Sequence, residues 1–154
     1  MGKASRKKHQ QRHQKNVIEK YGNVKLSDAI SYLCEPHEQS YNYNETGYRN
    51  LIMLAVFAWN IALKQDLEIR ENMITEFLEN LLKQSSTDFG TVDLLESETA
   101  QTLRGLHSIM NEFISRKDLY YPNDDRVIID FTLRPKGSGY YLQIKSIIPQ
   151  RNAD

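Results

Sequence analysis

Asp130, Gln143 and Lys145 are the side chains whose types and spacing best suit catalysis, because a carboxylate, an amide and an amine fall on two short segments of strand-like sequence. Residues 127–133 alternate apolar and polar side chains, and residues 140–148 alternate again after a turn that contains glycine. Paired as a β-hairpin, these segments put Asp130 directly opposite Lys145. We therefore expect a cross-strand ion pair, which stabilises a sheet surface and involves no reaction.

The same three residues resemble the PD-(D/E)xK nuclease layout, with glutamine in the second element. The resemblance implies that Asp130 and Gln143 would hold Mg²⁺ beside Lys145, and that the metal and the lysine would activate water for attack on a phosphodiester. That layout also calls for a helix and strand after the lysine and for more than one carboxylate, and an amide is a weak ligand for a hard cation. We favour the ion pair, keep a Mg²⁺-dependent nuclease as the alternative, and expect no cofactor.

A second group of carboxylates lies just before the first predicted strand. Asp118, Asp124 and Asp125 are close enough in sequence to gather a divalent cation. Carboxylates in a turn more often accept backbone N–H groups, and here they can also pair with Arg126 or Arg116. We therefore expect a structural role and no metal site.

The histidines and the single cysteine give no stronger signal. His9 and His13 are four residues apart, but two imidazoles among lysines that repel a cation make a poor metal site. His37 and His107 have no partner near them in sequence. Cys34 has no nearby histidine, so we expect a small buried side chain and no nucleophile.

Tyrosine is the other residue type that could form a site, since the chain has nine tyrosines in two main clusters around the second predicted helix and the hairpin. Tyrosine is common at interfaces because it packs and hydrogen-bonds at once. If the clusters meet, they form a small-ligand or peptide site, for which the candidates are Tyr48, Trp59, Tyr121 and Tyr141. The alternative is an amphipathic rim around a core, with Trp59 inside the core and Asn60 bonded to backbone.

The N-terminal segment is strongly basic. Residues 1–20 contain seven Lys or Arg and one acid, a charge of +6, and the whole chain is neutral, so residues 21–154 carry −6. Basic tails on acidic bodies favour polyanion partners. The candidate side chains for contact with RNA or DNA all lie before residue 16: Lys3, Arg6, Lys7, Lys8, Arg12 and Lys15. A solubilising tail is the open alternative.

The helices and strands that must position these side chains follow from the periodicity of apolar residues and from the residues that end helices and strands. We predict four helices and then two strands: a helix from Ser27, as N-cap, to about Pro36, helices over about 46–64, 67–83 and 92–116, and an antiparallel β-hairpin from Val127 to Ile148. The fold class is therefore α+β and mainly α. The longest apolar run has 13 residues, from Leu51 to Leu63, which is too short for a membrane span and indicates a core helix.

The turn of the hairpin sets a testable register. A two-residue turn at Gly137-Ser138 fits type II′, in which glycine comes first. This register pairs Leu133 with Leu142, Phe131 with Ile144 and Ile129 with Ser146, all on a face that packs on the helices. Ile128 and Ile147 then lie on the opposite face, where a second subunit would cover them.

Two segments carry a resemblance. The helix ending in Trp59-Asn60, and Arg116-Lys117 followed by Tyr121-Pro122-Asn123-Asp124-Asp125-Arg126 and a strand, resemble a group of small uncharacterised bacterial proteins over most of residues 24–148. The resemblance implies a compact bacterial domain and no particular activity.

These patterns predict a disordered basic arm over residues 1–16 and a single globular domain over residues 17–154. No apolar stretch of the signal-peptide kind follows the basic start, so we expect the protein to be cytoplasmic and not to associate with a membrane. The function we expect is non-enzymatic: a binding or interaction module whose basic arm contacts RNA, DNA or ribosomes. A homodimer is one form that such a module could take.

Overall fold

The computed structural model describes residues 24–38, 45–88 and 96–149. Over these residues the chain is α+β and mainly α, as predicted. Four α-helices and one short 3₁₀ helix precede an antiparallel hairpin: α1 (Leu26–Cys34), the 3₁₀ helix (Glu35–His37), α2 (Glu45–Ala62), α3 (Leu67–Asp88), α4 (Glu96–Tyr120), β1 (Val127–Lys136) and β2 (Gly139–Ile147). The predicted basic arm lies outside the described residues.

Helix α1 begins earlier than its sequence suggested. Its N-cap is Lys25 and no side chain caps it, so the prediction of Ser27 as the cap was wrong. Leu26 belongs to the helix because it shares a buried stripe with Ile30 and Leu33, and burial of that stripe outweighs the preference of serine for the cap. Pro36 lies in the 3₁₀ helix that follows, where a proline near the first position is tolerated.

Helix α2 is the centre of the core, as its apolar run predicted. Apolar side chains are buried on nearly all sides of it between Leu51 and Ala62, and it contacts α1, α3, α4 and β1. Trp59, near its C-terminal end, is fully buried. Among the described residues, no helix has the length and apolar character needed to cross a membrane.

Helices α3 and α4 extend beyond their predicted C-terminal ends. Helix α3 continues to Asp88, past the predicted end at Lys83, and α4 continues to Tyr120, past Arg116. Neither extension contains glycine or proline, the residues that most often end a helix.

The hairpin has the predicted turn and most of the predicted register. Gly137 has a φ of 61°, the positive value that the first position of a type II′ turn requires, and Ser138 does not share it. Phe131 pairs with Ile144 and Leu133 pairs with Leu142, as expected.

The register departs from the prediction at one point, a β-bulge at Ile129. Ser146 pairs with Ile128 and not with Ile129, because the bulge inserts one extra residue into β1. Ile128 therefore turns into the core, 4% exposed, and Ile129 turns outward, 50% exposed, so the predicted faces of these two side chains were wrong. Ile147 lies on the outer face and is exposed.

Candidate nucleic-acid interface

The start of the hairpin is held by a buried polar cluster, here called the anchor, which consists of Trp59, Asn60, Lys117, Asp124 and Arg126. Trp59 and Asn60 lie in the last turn of α2, Lys117 lies in the last turn of α4, and Asp124 and Arg126 lie in the turn before β1. The anchor thus joins the two segments that are most distinctive in the sequence.

Lys117 is the most buried cation of the anchor, at 3% exposure. Its Nζ donates hydrogen bonds to the carbonyl oxygens of Tyr121 and Asp124, each at 2.7 Å, and lies 4.8 Å from the centroid of the Trp59 ring. Burial lowers the pKa of Lys117, and the negative charge of Asp124 opposes that shift. Lys117 therefore acts as a clamp on the turn between α4 and β1.

Asp124 and Arg126 form a buried bidentate ion pair. Arg126 Nη2 lies 2.6 Å from Asp124 Oδ2, and Arg126 Nε lies 2.9 Å from Asp124 Oδ1. The fork geometry of guanidinium and carboxylate makes such pairs strong and directional. Arg126 Nη2 also donates to the carbonyl of Val24 at 3.1 Å, so the beginning of the described chain is tied to the start of the hairpin.

Trp59 and Asn60 bind the backbone of the strand. Trp59 Nε1 donates to the carbonyl of Arg126 at 2.8 Å. The Asn60 amide makes two bonds with Ile128, donating to its carbonyl at 2.8 Å and accepting from its N–H at 2.9 Å. The predicted core role of Trp59 and backbone bonding of Asn60 are confirmed, although the backbone that Asn60 binds is 68 residues away.

The anchor does not resemble a metal site. Asp118 does not join it, because Arg70 binds both Asp118 oxygens at 2.7 and 3.2 Å. Asp124 is committed to Arg126. Within the part of the chain that the structure describes, no group of three or more His, Cys, Asp or Glu side chains could hold a metal ion.

The outward side of the hairpin, here called the hairpin face, is exposed and carries three cations and one carboxylate. Its side chains are Ile129, Asp130, Thr132, Arg134, Lys136, Tyr141, Gln143, Lys145 and Ile147. Arg134 pairs with Tyr141, which is 51% exposed, and Lys136 Nζ lies 5.5 Å from the Tyr141 ring centroid. The hairpin face therefore offers an accessible aromatic ring between cations.

The three candidate catalytic residues, Asp130, Gln143 and Lys145, all lie on the hairpin face. Asp130 is opposite Lys145, as predicted. The predicted ion pair is not formed, because no nitrogen–oxygen distance between these two side chains is within 4 Å and Asp130 Oδ1 instead accepts the N–H of Phe131 at 2.9 Å. The carboxylate is thus bonded locally, and Lys145 is an exposed cation.

The tyrosine and tryptophan candidates occupy three separate places. Tyr48 stacks on Tyr140 near the hairpin turn, with centroids 5.3 Å apart. Trp59 lies in the core, 5.7 Å from the ring of Tyr121. Tyr141 lies on the hairpin face, so these side chains do not converge on one pocket.

Two histidines have partners that sequence reasoning missed. His37 Nε2 lies 2.7 Å from Glu112, and His107 Nε2 lies 2.6 Å from Glu71. Each pair joins residues that are at least 36 positions apart, so no local pattern could have shown it. The histidines therefore link helices.

Cys34 is buried, as predicted, and contacts the carbonyl of Leu51. Burial raises the pKa of its thiol to about 12, with a smaller contribution from the charge of Glu38. Because the thiolate is the nucleophilic form, Cys34 is unreactive near neutral pH.

The candidate nucleic-acid-contacting residues Lys3, Arg6, Lys7, Lys8, Arg12 and Lys15 lie outside the described residues. Comparison of the chain with protein-family models, with curated proteins and with solved structures found no match.

Proposed function

We propose that this protein is a non-enzymatic module that contacts nucleic acid through its basic N-terminal segment and its hairpin face. The observation that carries the proposal is the separation of charge along the chain: seven Lys or Arg against one acid in residues 1–20, and −6 over the remainder. Such a segment can neutralise several phosphates and release their counterions, which gives affinity without sequence preference.

The hairpin face supports the same function. Arg134, Lys136 and Lys145 are exposed there, against one carboxylate, Asp130. An exposed ring beside cations, as Tyr141 is, suits stacking on an unpaired base next to a phosphate contact. Residues 1–20 contain no Phe, Tyr or Trp, so Tyr141 would add a type of stacking contact that the basic segment does not supply.

The contacts of the anchor are consistent with one binding surface shared by the basic N-terminal segment and the hairpin face. Arg126 bonds the carbonyl of Val24 and, through Asp124 and Lys117, belongs to the cluster that fixes the start of β1. Val24, the first described residue, is therefore held beside the start of β1.

The proposal is tested by fluorescence anisotropy with labelled single-stranded RNA, single-stranded DNA and duplex DNA of mixed sequence at two salt concentrations. We expect binding by the full chain that weakens as salt rises, and its loss on deletion of residues 2–16. The variant Arg134→Gln/Lys136→Gln/Lys145→Gln should weaken binding by roughly tenfold, since each phosphate contact contributes to the salt-dependent term.

A matched control removes exposed cations elsewhere. Lys64→Gln/Arg104→Gln changes two exposed side chains outside the hairpin and should leave the affinity nearly unchanged. Full affinity after deletion of residues 2–16 would contradict the role of the basic segment. An equal loss per removed charge in the control and hairpin-face variants would show that only net charge matters and would remove the hairpin face from the proposal.

A further inference from the structure

The two outer edges of the hairpin differ in how far other residues cover or bond their backbone groups. In a hairpin with a two-residue turn, hydrogen-bonded and non-hydrogen-bonded pairs alternate, beginning with a bonded pair at the turn. Lys136 and Gly139 are that first pair. Every second pair thereafter points its backbone N–H and C=O groups away from the hairpin, toward one edge or the other.

The outer edge of β1 is blocked. Asn60 binds both backbone groups of Ile128, and Arg49 donates to the carbonyl of Leu133 at 3.4 Å. Pro135 has no N–H to offer, and the bulge at Ile129 interrupts the edge. Prolines, bulges and covering side chains are the usual means by which proteins prevent a further strand from pairing.

Among the described residues, the outer edge of β2 has no proline, no bulge and no side chain hydrogen-bonded to its backbone, although α1 contacts the strand. Its outward-pointing backbone groups belong to Tyr140, Leu142, Ile144 and Ser146, which lie opposite the non-bonded positions of β1. In the described ranges no hydrogen bond reaches these groups; α1 contacts β2 but donates no hydrogen bond to it. An open edge of this kind is a template for another strand.

We propose that the β2 edge pairs antiparallel with the β2 edge of a second copy of this chain, which makes a continuous four-stranded sheet. Gln143 is the midpoint of Gly139–Ile147, so a two-fold axis at Gln143 lets the whole of both strands overlap. Tyr140 then exchanges two hydrogen bonds with the second copy's Ser146, and Leu142 does so with the second copy's Ile144.

Side-chain chemistry favours a second copy in this register. Tyr141 lies next to the second copy's Lys145, a cation beside an aromatic ring, and the two Gln143 amides meet at the axis. No like charges oppose each other, whereas an axis at Lys145 would bring two ammonium groups together. On the inward side, the half-buried side chains of Tyr140 and Ile144 would lie next to the second copy's Ser146 and Leu142. The inference does not depend on nucleic-acid binding, although it would join two hairpin faces into one surface.

The test uses charges at the proposed axis, with the full chain studied by sedimentation velocity over a range of concentrations. We expect a wild-type dimer. Gln143→Glu and Gln143→Lys each place like charges face to face at the axis, so each should raise the dimer dissociation constant on the order of tenfold or more. An equal mixture of the two variants places opposite charges there and should restore the dimer.

The matched control is Thr132→Glu, which puts the same charge on the hairpin face of β1, opposite Gln143 within the chain but away from the axis. It should remain dimeric. Amide hydrogen exchange gives a second readout, because Leu142 and Ile144 amides should be protected in the dimer and exchange faster in Gln143→Glu. A wild-type monomer at all concentrations would overturn the inference, and so would a Gln143→Glu dimer as tight as the wild type.

Discussion

The anchor and the hairpin face hold cationic side chains in two opposite settings. In the anchor, Lys117 and Arg126 are buried, and each makes several hydrogen bonds to carbonyls or to Asp124. On the hairpin face, Arg134 and Lys145 are exposed and have no carboxylate within 4 Å among the described residues. A buried cation that has lost its water depends on fixed partners, whereas an exposed cation keeps its hydration and can exchange it for a ligand. The same residue types therefore fix geometry in one setting and remain free to bind in the other.

The largest expected effect comes from breaking the anchor. Asp124→Ala removes both carboxylate oxygens that the Arg126 guanidinium binds and the negative charge that Asp124 places beside this buried cation. We expect a loss of roughly 3–5 kcal/mol in the free energy of unfolding, the usual cost of removing one member of a buried pair. Urea denaturation followed by circular dichroism measures it.

The control for this prediction is another carboxylate whose two oxygens both accept hydrogen bonds from one arginine. Asp118 pairs with Arg70, but its side chain is 44% exposed. Asp118→Ala should cost at most about 1 kcal/mol, because water replaces the lost partner. Equal losses for the two variants would show that burial does not distinguish the anchor from a surface pair.

A smaller effect is expected where the anchor meets the strand. Asn60→Ala leaves the N–H and C=O of Ile128 without their side-chain partner. Unpaired, partly buried backbone groups should cost about 2 kcal/mol, again measured by urea denaturation. The Ile128 amide should also exchange its hydrogen faster than in the wild type, and an unchanged exchange rate would mean that Asn60 does not close the β1 edge.

The smallest effect is expected on the hairpin face. Asp130 and Lys145 are opposite each other but form no ion pair, so a double-mutant cycle with Asp130→Ala and Lys145→Ala should give a coupling energy below about 0.5 kcal/mol. Each single variant should also change stability little. A coupling energy above about 1 kcal/mol would show that Asp130 and Lys145 interact, as the charged residues of the anchor do.

The local sequence predicted much of the scaffold. The apolar run of α2 predicted the core helix, and Gly137-Ser138 predicted the turn from which the register follows. These features depend on periodicity and backbone preferences, which act over a few residues. The cap at Ser27 and the faces of Ile128 and Ile129 were predicted incorrectly, because packing against distant residues decided them.

The sequence by itself determined the charge separation between the basic segment and the rest of the chain, the fold class and the turn of the hairpin. Only the tertiary structure decided which polar groups meet. Trp59 reaches Arg126 and Asn60 reaches Ile128 across 67 and 68 residues, and Lys117 acquires its buried position from the packing of α4 against α2. Burial is a property of the packed chain, and burial separates the cations that hold the fold together from those that stay available to a partner.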